Sequence, residues 1–175
     1  MHLNELPRYD DSDNPTGCCP RFDPTGWDGQ QLHLKDRRFL RATTRSIAHI
    51  PVDMGQVFGR VLGRMRETGA YDPHQFLVLS RSLSAFQDEH LFAVSRDVPG
   101  EEMVTLSGDF LTRAFDGPYR EARHWADEMK ALAKAHGRRP AAVWFFYTTC
   151  PKCAKAYGHN PVVGLVELAP ETAAA

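Results

Sequence analysis

The predicted elements of this 175-residue chain occur in the same order twice, and this repeat constrains the fold more than any other feature. A strand, a helix and two further strands are predicted between residues 39 and 97. The same order is predicted again between residues 103 and 168, which indicates an internal duplication with a period of about 65 residues. Two such units pair into a mostly antiparallel sheet with both helices on one face, an α+β arrangement of two layers. The other face, which is concave, is then free to hold a ligand.

Hydrophobic periodicity supports this prediction. Apolar residues recur at the i, i+3, i+4 spacing of an amphipathic helix over 53–69, and a second helix is predicted after Asp116-Gly117-Pro118, because proline is tolerated in a first helical turn. Strands are predicted at 39–50, 75–80, 90–97, 103–115, 141–147 and 162–168, with a short additional strand at 31–34. Residues 1–30 are rich in Asp, Asn, Pro and Gly, and they predict an irregular N-terminal arm packed on a single domain at 31–175.

Composition and charge narrow the class of protein. The formal net charge is -1, and 25% of the residues are charged, so charge offers no case for nucleic acid or an anionic membrane as a partner. No apolar run is long enough for a transmembrane helix. The N-terminus lacks both the basic start and the apolar stretch of a signal peptide. We therefore expect a cytoplasmic protein with no nucleic-acid or membrane partner.

Four cysteines in two tight pairs are the sharpest chemical signal in the chain. Cys150 and Cys153 form a Cys-Pro-Lys-Cys turn after the apolar run at 141–147, and Cys18 and Cys19 are adjacent in the arm. Cys-x-x-Cys spacing lets both sulfurs reach one centre, and thiols stay reduced in the cytoplasm. The pattern predicts a zinc site made from Cys150 and Cys153 with one or both of Cys18 and Cys19, which would tie the arm to the domain.

Other interpretations remain open for these cysteines. Two adjacent cysteines on one zinc are strained, so His159 is an alternative fourth ligand. A closed site with four protein ligands would be structural, whereas three ligands and a bound water could support hydrolysis. The same pairs could instead serve redox chemistry, or they could be free thiols.

The segment FLTRAFDGPYREARHWADEM, at residues 110–129, has a strand with an aromatic residue, then Gly-Pro-Tyr, then a helix with an aromatic residue near its middle. These features stand at Phe115, Gly117, Pro118, Tyr119 and Trp125. Together with the doubled topology, they resemble the GyrI-like small-molecule-binding superfamily over residues 39–168. The cysteine segments resemble a branch of stand-alone bacterial proteins that are loosely described as hydrolases.

The resemblance implies a ligand in the cleft between the two halves, 39–97 and 103–168. Some GyrI-like relatives hydrolyse strained, cyclopropane-bearing natural products with a cleft aromatic and a glutamate. Others only bind amphipathic, often cationic, ligands against an acidic residue. The Cys-x-x-Cys turn is a departure, because it replaces the usual family sequence before the last strand.

Candidate site residues follow from these arguments. A carboxylate buried in an aromatic cleft would have a raised pKa and could act as a general acid, or it could pair with a cationic ligand. Glu89 is the preferred candidate because its strand is expected near the centre of the cleft, and Tyr147 is the aromatic partner proposed for catalysis. Trp144 and Phe146 share one face of their strand, and Tyr147 lies on the other. The candidate ligand-binding residues are His49, Trp125, Trp144, Phe146 and Glu167.

The sequence therefore predicts a protein that binds a small amphipathic or aromatic molecule in the cleft between its halves, with or without hydrolysis. In the hydrolytic version, Glu89 or a zinc-bound water activates the attacking water. The alternative is a non-catalytic protein that sequesters a ligand, senses it or inhibits a protein partner, with a structural zinc held by the cysteine pairs.

Overall fold

The computed structural model describes residues 3–48 and 50–170. Within these residues the order strand-helix-strand-strand occurs twice, as the sequence predicts. The strands are β1 (Gln31–Ile47), β2 (Ile50–Pro51), β3 (Val78–Ser84), β4 (Gln87–Ala93), β5 (Glu102–Asp116), β6 (Pro140–Tyr147) and β7 (Pro161–Leu168). The helices are α1 (Met54–Glu67), α2 (Ala122–Ala135), which follows a 3-10 turn at Tyr119–Glu121, and α3 (Pro151–Tyr157).

The sheet closes into a six-stranded antiparallel barrel, which corrects the prediction of an open sheet with one free concave face. Strand β1 pairs with β4 on one side and with β5 on the other, so the strand order β1-β4-β3-β6-β7-β5 returns to β1. The two halves are joined along a long β1–β5 ladder, from Gln31 opposite Leu111 to Arg41 opposite Glu102. The two halves also meet where β3 pairs with β6. Within the described residues, this junction has one register pair, Ser80 opposite Phe145. We call this junction the seam.

Both long helices cover the outside of the barrel. The Phe58 ring of α1 contacts the rings of His90 and Phe92 on β4. Helix α2 lies against β5, β6 and β7, where Trp125 stacks on Phe115. Side chains alternate between the two faces of a strand, so these contacts define which residues face outward and which face the interior.

The N-terminal arm packs against the interior face, and this is why that face is not free. Phe146 of β6 contacts three aromatic rings of the arm: Tyr9, Phe22 and Trp27. All four rings are buried. Thr112 of β5 donates a hydrogen bond to the carbonyl oxygen of Trp27, which holds the end of the arm beside the barrel. The arm thus supplies part of the hydrophobic core.

Two local structures differ from the predictions. The strands predicted at 31–34 and 39–50 are largely one strand, β1, which covers Gln31–Ile47 and bulges between Leu34 and Arg37; Asp36 takes the left-handed conformation there, with φ of 48°. Ile50 belongs instead to the short strand β2. The predicted Cys turn is a helix, α3. Among the described residues, no helix has both the length and the apolar character needed to cross a membrane.

Candidate functional site

The sulfur atoms of Cys18, Cys19, Cys150 and Cys153 all lie within 4.8 Å of one another. This is the grouping that the sequence predicts. Cys153 is fully buried and Cys18 is exposed, so the cluster lies at the surface with one side covered. Four thiols in this arrangement fit a tetrahedral thiolate site for zinc, and their number leaves no position for a catalytic water. The chemistry of the donor set therefore points to a structural centre.

Helix α3 brings two of the four sulfurs together. Pro151 occupies its first turn, where the missing N–H of proline costs nothing, and Cys150 stands immediately before it. Cys150 and Cys153 are three residues apart and therefore lie on the same side of the helix. Gly158 ends the helix in the left-handed conformation, with φ of 77°.

Hydrogen bonds around the sulfurs hold the arm against α3. The backbone N–H of Cys150 donates to Cys19 Sγ across 3.3 Å, and Thr16 Oγ1 lies 3.2 Å from Cys153 Sγ. The Tyr157 hydroxyl donates to the carbonyl oxygen of Cys19 across 2.6 Å. The hydrogen bond with Thr16 lowers the pKa of the Cys153 thiol to about 7, whereas burial raises the pKa of Cys19. The cluster thus contains one thiol that is readily ionised near neutral pH.

A second cluster of polar groups lies on the interior face beside the seam. Glu89 of β4 is buried, and its side chain is 7% exposed. Its two carboxylate oxygens accept hydrogen bonds from two arginines: Arg41 Nε at 2.5 Å and Arg81 Nε at 2.6 Å. Arg41 also donates through Nη1 to both oxygens of Glu102, at 3.0 and 3.1 Å. We call Arg41, Arg81, Glu89 and Glu102 the arginine–glutamate network.

The arginine–glutamate network lowers the pKa of Glu89. Burial alone would raise the pKa of its carboxyl, but the hydrogen bonds from Arg41 and Arg81 outweigh burial, and the pKa lies below its ordinary value. The raised pKa that a general acid needs is therefore not present at Glu89. The carboxylate is ionised at neutral pH, and both of its oxygens are already engaged.

An arginine and a tryptophan meet across the seam. The guanidinium carbon of Arg81 on β3 lies 4.1 Å from the centroid of the Trp144 ring on β6, a cation–π contact. Trp144 is buried, and its indole Nε1 has no hydrogen-bond partner among the residues that the structure describes. The seam therefore combines a buried aromatic ring, an oriented guanidinium group and an unsatisfied donor.

A model of the family described as Bacterial hydrolase matches residues 9–168. The chain belongs to the Bacterial hydrolase family. The matched region contains the whole barrel, all three helices and all four cysteines. The matched region of this chain therefore spans both the thiol cluster and the seam. No curated protein matches the chain.

Two solved structures are similar to this member of the Bacterial hydrolase family. A hydrolase from Listeria innocua has a TM-score of 0.56 at 10% sequence identity, over 82% of this chain and 92% of that chain. The structure of SAV2435 bound to tetraphenylphosphonium has a TM-score of 0.47 at 8% identity, over 81% of this chain and 94% of that chain. At such low identity the Listeria structure shows a shared fold alone.

The remaining predicted site residues lie on two different faces of the barrel. Trp144, Phe146 and Glu167 share the interior face with Glu89, since Trp144 pairs with Leu165 and Glu167 lies two residues further along β7. Tyr147 and Trp125 lie on the outer face, where Phe145 contacts both rings. The structure therefore does not bring Tyr147 together with Glu89. His49 lies outside the described residues.

His159, the alternative metal ligand, is not in the thiol cluster. Its Nδ1 atom lies 3.9 Å from Asp116 Oδ2, and the residue lines a surface pocket of about 410 Å³ between α3 and the Gly117-Pro118-Tyr119 segment. Helix α3 places Cys150 and Cys153 on the side that faces the arm, whereas Pro151 and Ala154 line this pocket. His159 is therefore on the other side of α3 from the sulfurs.

The sequence pattern did not indicate a role for the two arginines of the network. Arg41 stands among other basic residues, at 35–41, and this pattern is typical of a solvated surface. Strand register could have indicated both residues. Arg81 on β3 lies directly opposite Glu89, and Arg41 on β1 lies two residues from Thr43, which is opposite Glu89 on its other side. Opposite charges at such positions on one face form cross-strand pairs.

Proposed function

We propose that this protein binds a small amphipathic molecule at the seam between its two halves, with the apolar part of the ligand against Trp144. The observation that carries this proposal is the Arg81–Trp144 contact, which places a guanidinium group and a buried aromatic ring where the halves are joined least extensively. Ligand sites commonly combine apolar walls with a few convergent polar groups. The resemblance to the GyrI-like superfamily, whose ligands lie between the halves, is part of this proposal.

Hydrolysis of the bound molecule is the activity that membership of the Bacterial hydrolase family supports. In this proposal Glu89 is the carboxylate of the ligand site, and the thiol cluster holds a structural zinc that does not take part in the chemistry. A strained, cyclopropane-bearing electrophile is the substrate class suggested by the family resemblance. Water attacks one carbon of the strained ring, and the bond from that carbon to a neighbouring ring carbon breaks. The proton lost by the water is transferred to that neighbouring carbon.

A second function, binding without turnover, is favoured by a specific observation. Both oxygens of Glu89 accept hydrogen bonds from arginines, and its pKa is lowered, so the carboxylate is a weaker base than a free glutamate. The four-thiol cluster leaves no water position either. In this version the protein sequesters its ligand or senses it.

Ligand loss over time separates the two functions. An electrophilic cyclopropane compound is incubated with a small amount of protein, and substrate and ring-opened product are quantified by chromatography. Turnover beyond one equivalent supports hydrolysis, whereas protection of one equivalent supports sequestration. Glu89→Gln is compared with Glu102→Gln, which removes the exposed carboxylate of the same network. Equal turnover by wild type and Glu89→Gln would remove Glu89 from the mechanism.

A further inference from the structure

Both carboxylates of the arginine–glutamate network already accept hydrogen bonds from arginines. Glu89 uses one oxygen for Arg41 and the other for Arg81, through the Nε atom of each arginine. Glu102 accepts from Arg41 Nη1 with both of its oxygens. A cationic ligand that entered the seam would have to share a carboxylate with an arginine that already donates to it. The network therefore contains no carboxylate that is unpaired.

Donors at the seam are available instead. Arg81 is fixed by its Nε bond to Glu89 and by its stacking on Trp144, and no hydrogen bond of its two Nη groups is found within the described part of the chain. The side chain is 37% exposed, so these groups can be reached from solvent. Trp144 Nε1 also has no partner among the described residues, but this atom is buried, so Arg81 is the donor that a ligand can reach. A guanidinium group can only donate, and an oxyanion is what pairs with it.

The balance of charge at the seam also favours an anion. Glu102 is 59% exposed, so water screens much of its charge, whereas Glu89 is 7% exposed. The buried carboxylate, Glu89, is thus shared by two guanidinium groups, and only Arg41 has a second carboxylate partner in the network. A buried carboxylate between two arginines orients them, and an oriented planar guanidinium group binds carboxylate or phosphate through two parallel hydrogen bonds.

We propose that the seam selects an anionic ligand, a molecule with a carboxylate or phosphate group attached to an aromatic or aliphatic body, and that Arg81 is the residue that binds this group. The proposal rests on the proposed function, since it specifies the ligand class of the same site. It differs from the cationic ligands that the family resemblance implies. Arg41 and Glu89 are positioning residues for Arg81, and Trp144 contacts the apolar body.

Matched probes with one apolar body test the charge preference. Isothermal titration calorimetry is done with 1-naphthaleneacetate, 1-naphthyl phosphate, 1-naphthylmethylammonium and 1-naphthalenemethanol, each with the metal-loaded full-length protein. We expect at least one anion to bind about tenfold or more tightly than the cation and the alcohol, and its affinity to fall with added salt. The two anions distinguish a carboxylate ligand from a phosphate ligand, and preference for either one supports the proposal.

Variants of Arg81 identify the binding residue. Arg81→Gln is expected to reduce anion affinity about tenfold or more, and Arg81→Lys, which keeps the charge without the planar fork, is expected to give an intermediate loss. The matched control is Arg120→Gln, because Arg120 is 83% exposed and pairs only with its neighbour Glu121 at 3.7 Å among the contacts described. Circular dichroism confirms that each variant is folded, and Arg81→Lys keeps the test valid if Arg81→Gln does not fold.

The outcomes separate the two proposals. Equal or tighter binding of the cation or the alcohol would overturn the anion preference while leaving a ligand site at the seam. Anion binding that survives in both Arg81 variants would overturn the role of Arg81. Absence of binding by all four probes would overturn both the anion preference and a seam site for ligands of this size.

Discussion

The backbone N–H of Cys150 donates a hydrogen bond to Cys19 Sγ across 3.3 Å, and this contact joins the start of α3 to the N-terminal arm. Cysteine sulfurs that bind metal commonly accept such second-sphere hydrogen bonds, because these stabilise the thiolate form. The same arm places Phe22 and Trp27 against Phe146 in the barrel interior. A metal bound at the thiol cluster would therefore stabilise part of the hydrophobic core as well as the surface.

Zinc content is the first prediction. The protein purified untagged under reducing conditions is expected to contain about one zinc ion per chain, and Cys150→Ser is expected to lose most of it, because a hydroxyl is a poor substitute for a thiolate ligand. Elemental analysis by mass spectrometry measures the metal. Since zinc binding contributes to folding, Cys150→Ser is also expected to have a lower melting temperature than the zinc-loaded wild type.

The control for the zinc experiment is His159→Ala. His159 lies beside Asp116 and outside the thiol cluster, so this variant is expected to keep its zinc. Loss of zinc from His159→Ala would instead show that the histidine replaces one cysteine as a ligand. A metal-free wild-type protein would contradict the zinc centre and would leave the redox and free-thiol interpretations.

Acid sensitivity is the second prediction, and it concerns Glu89. The ordinary pKa of a glutamate is 4.5; burial would raise that of Glu89, but the hydrogen bonds from Arg41 and Arg81 lower it. A carboxyl with a lowered pKa in the folded state stabilises the protein above the unfolded pKa, and this contribution is lost as the pH falls through the folded-state value. The free energy of unfolding of the wild type is therefore expected to fall from pH 4.5 downward.

Urea unfolding at a series of pH values measures this effect. Glu89→Gln is expected to lower the free energy of unfolding by about 1–3 kcal/mol at neutral pH, because a buried charged hydrogen-bond partner is removed, and to show a weaker dependence on acid pH. Glu102→Gln, which removes the exposed carboxylate of the network, is the matched control and should keep the wild-type dependence. A Glu89→Gln variant with the same acid dependence as the wild type would contradict the lowered pKa.

Much of the fold could be predicted because it depends on local pattern. The periodicity of residues 53–69 and the apolar run at 141–147 each indicate one element, and the structure has α1 and β6 there. Closure of the barrel could not be predicted in this way, because it depends on β1 being long enough to pair with two strands. The polar sequence around Asp36 looks like a loop, whereas it is an exposed bulge within β1.

The cysteines of the candidate site could be predicted from the sequence, whereas the arginines could not. Cysteine is rare and its spacing in sequence is informative, so Cys18, Cys19, Cys150 and Cys153 could be grouped before their positions were known. Arginines are common on surfaces, and the roles of Arg41 and Arg81 depend on a register that brings three strands together at Glu89. Which of these two residues of β6, Trp144 or Tyr147, faces the barrel interior likewise depends on the side of the strand against which α2 packs.

The third prediction concerns a substitution at Gly164, where the packing is close. A Cβ atom at this position of β7 would lie 2.9 Å from Met129 on α2 and 2.9 Å from the Phe115 ring on β5. Met129 is fully buried, and the partly buried Phe115 ring stacks on Trp125 of α2, so movement of either would disturb other side chains. Gly164→Ala is therefore expected to lower the free energy of unfolding by about 1–3 kcal/mol, the usual effect of overpacking.

Gly59→Ala is the matched control for Gly164→Ala. Gly59 lies in the interior of α1, and a Cβ atom there would meet no heavy atom within 4 Å outside the local helix backbone. Alanine favours the helix over glycine, so this variant is expected to be more stable than the wild type by roughly 0.5–1 kcal/mol. Urea unfolding of both variants measures the opposite signs. If Gly164→Ala were as stable as the wild type, α2 would not be packed against β7 as closely as the structure shows.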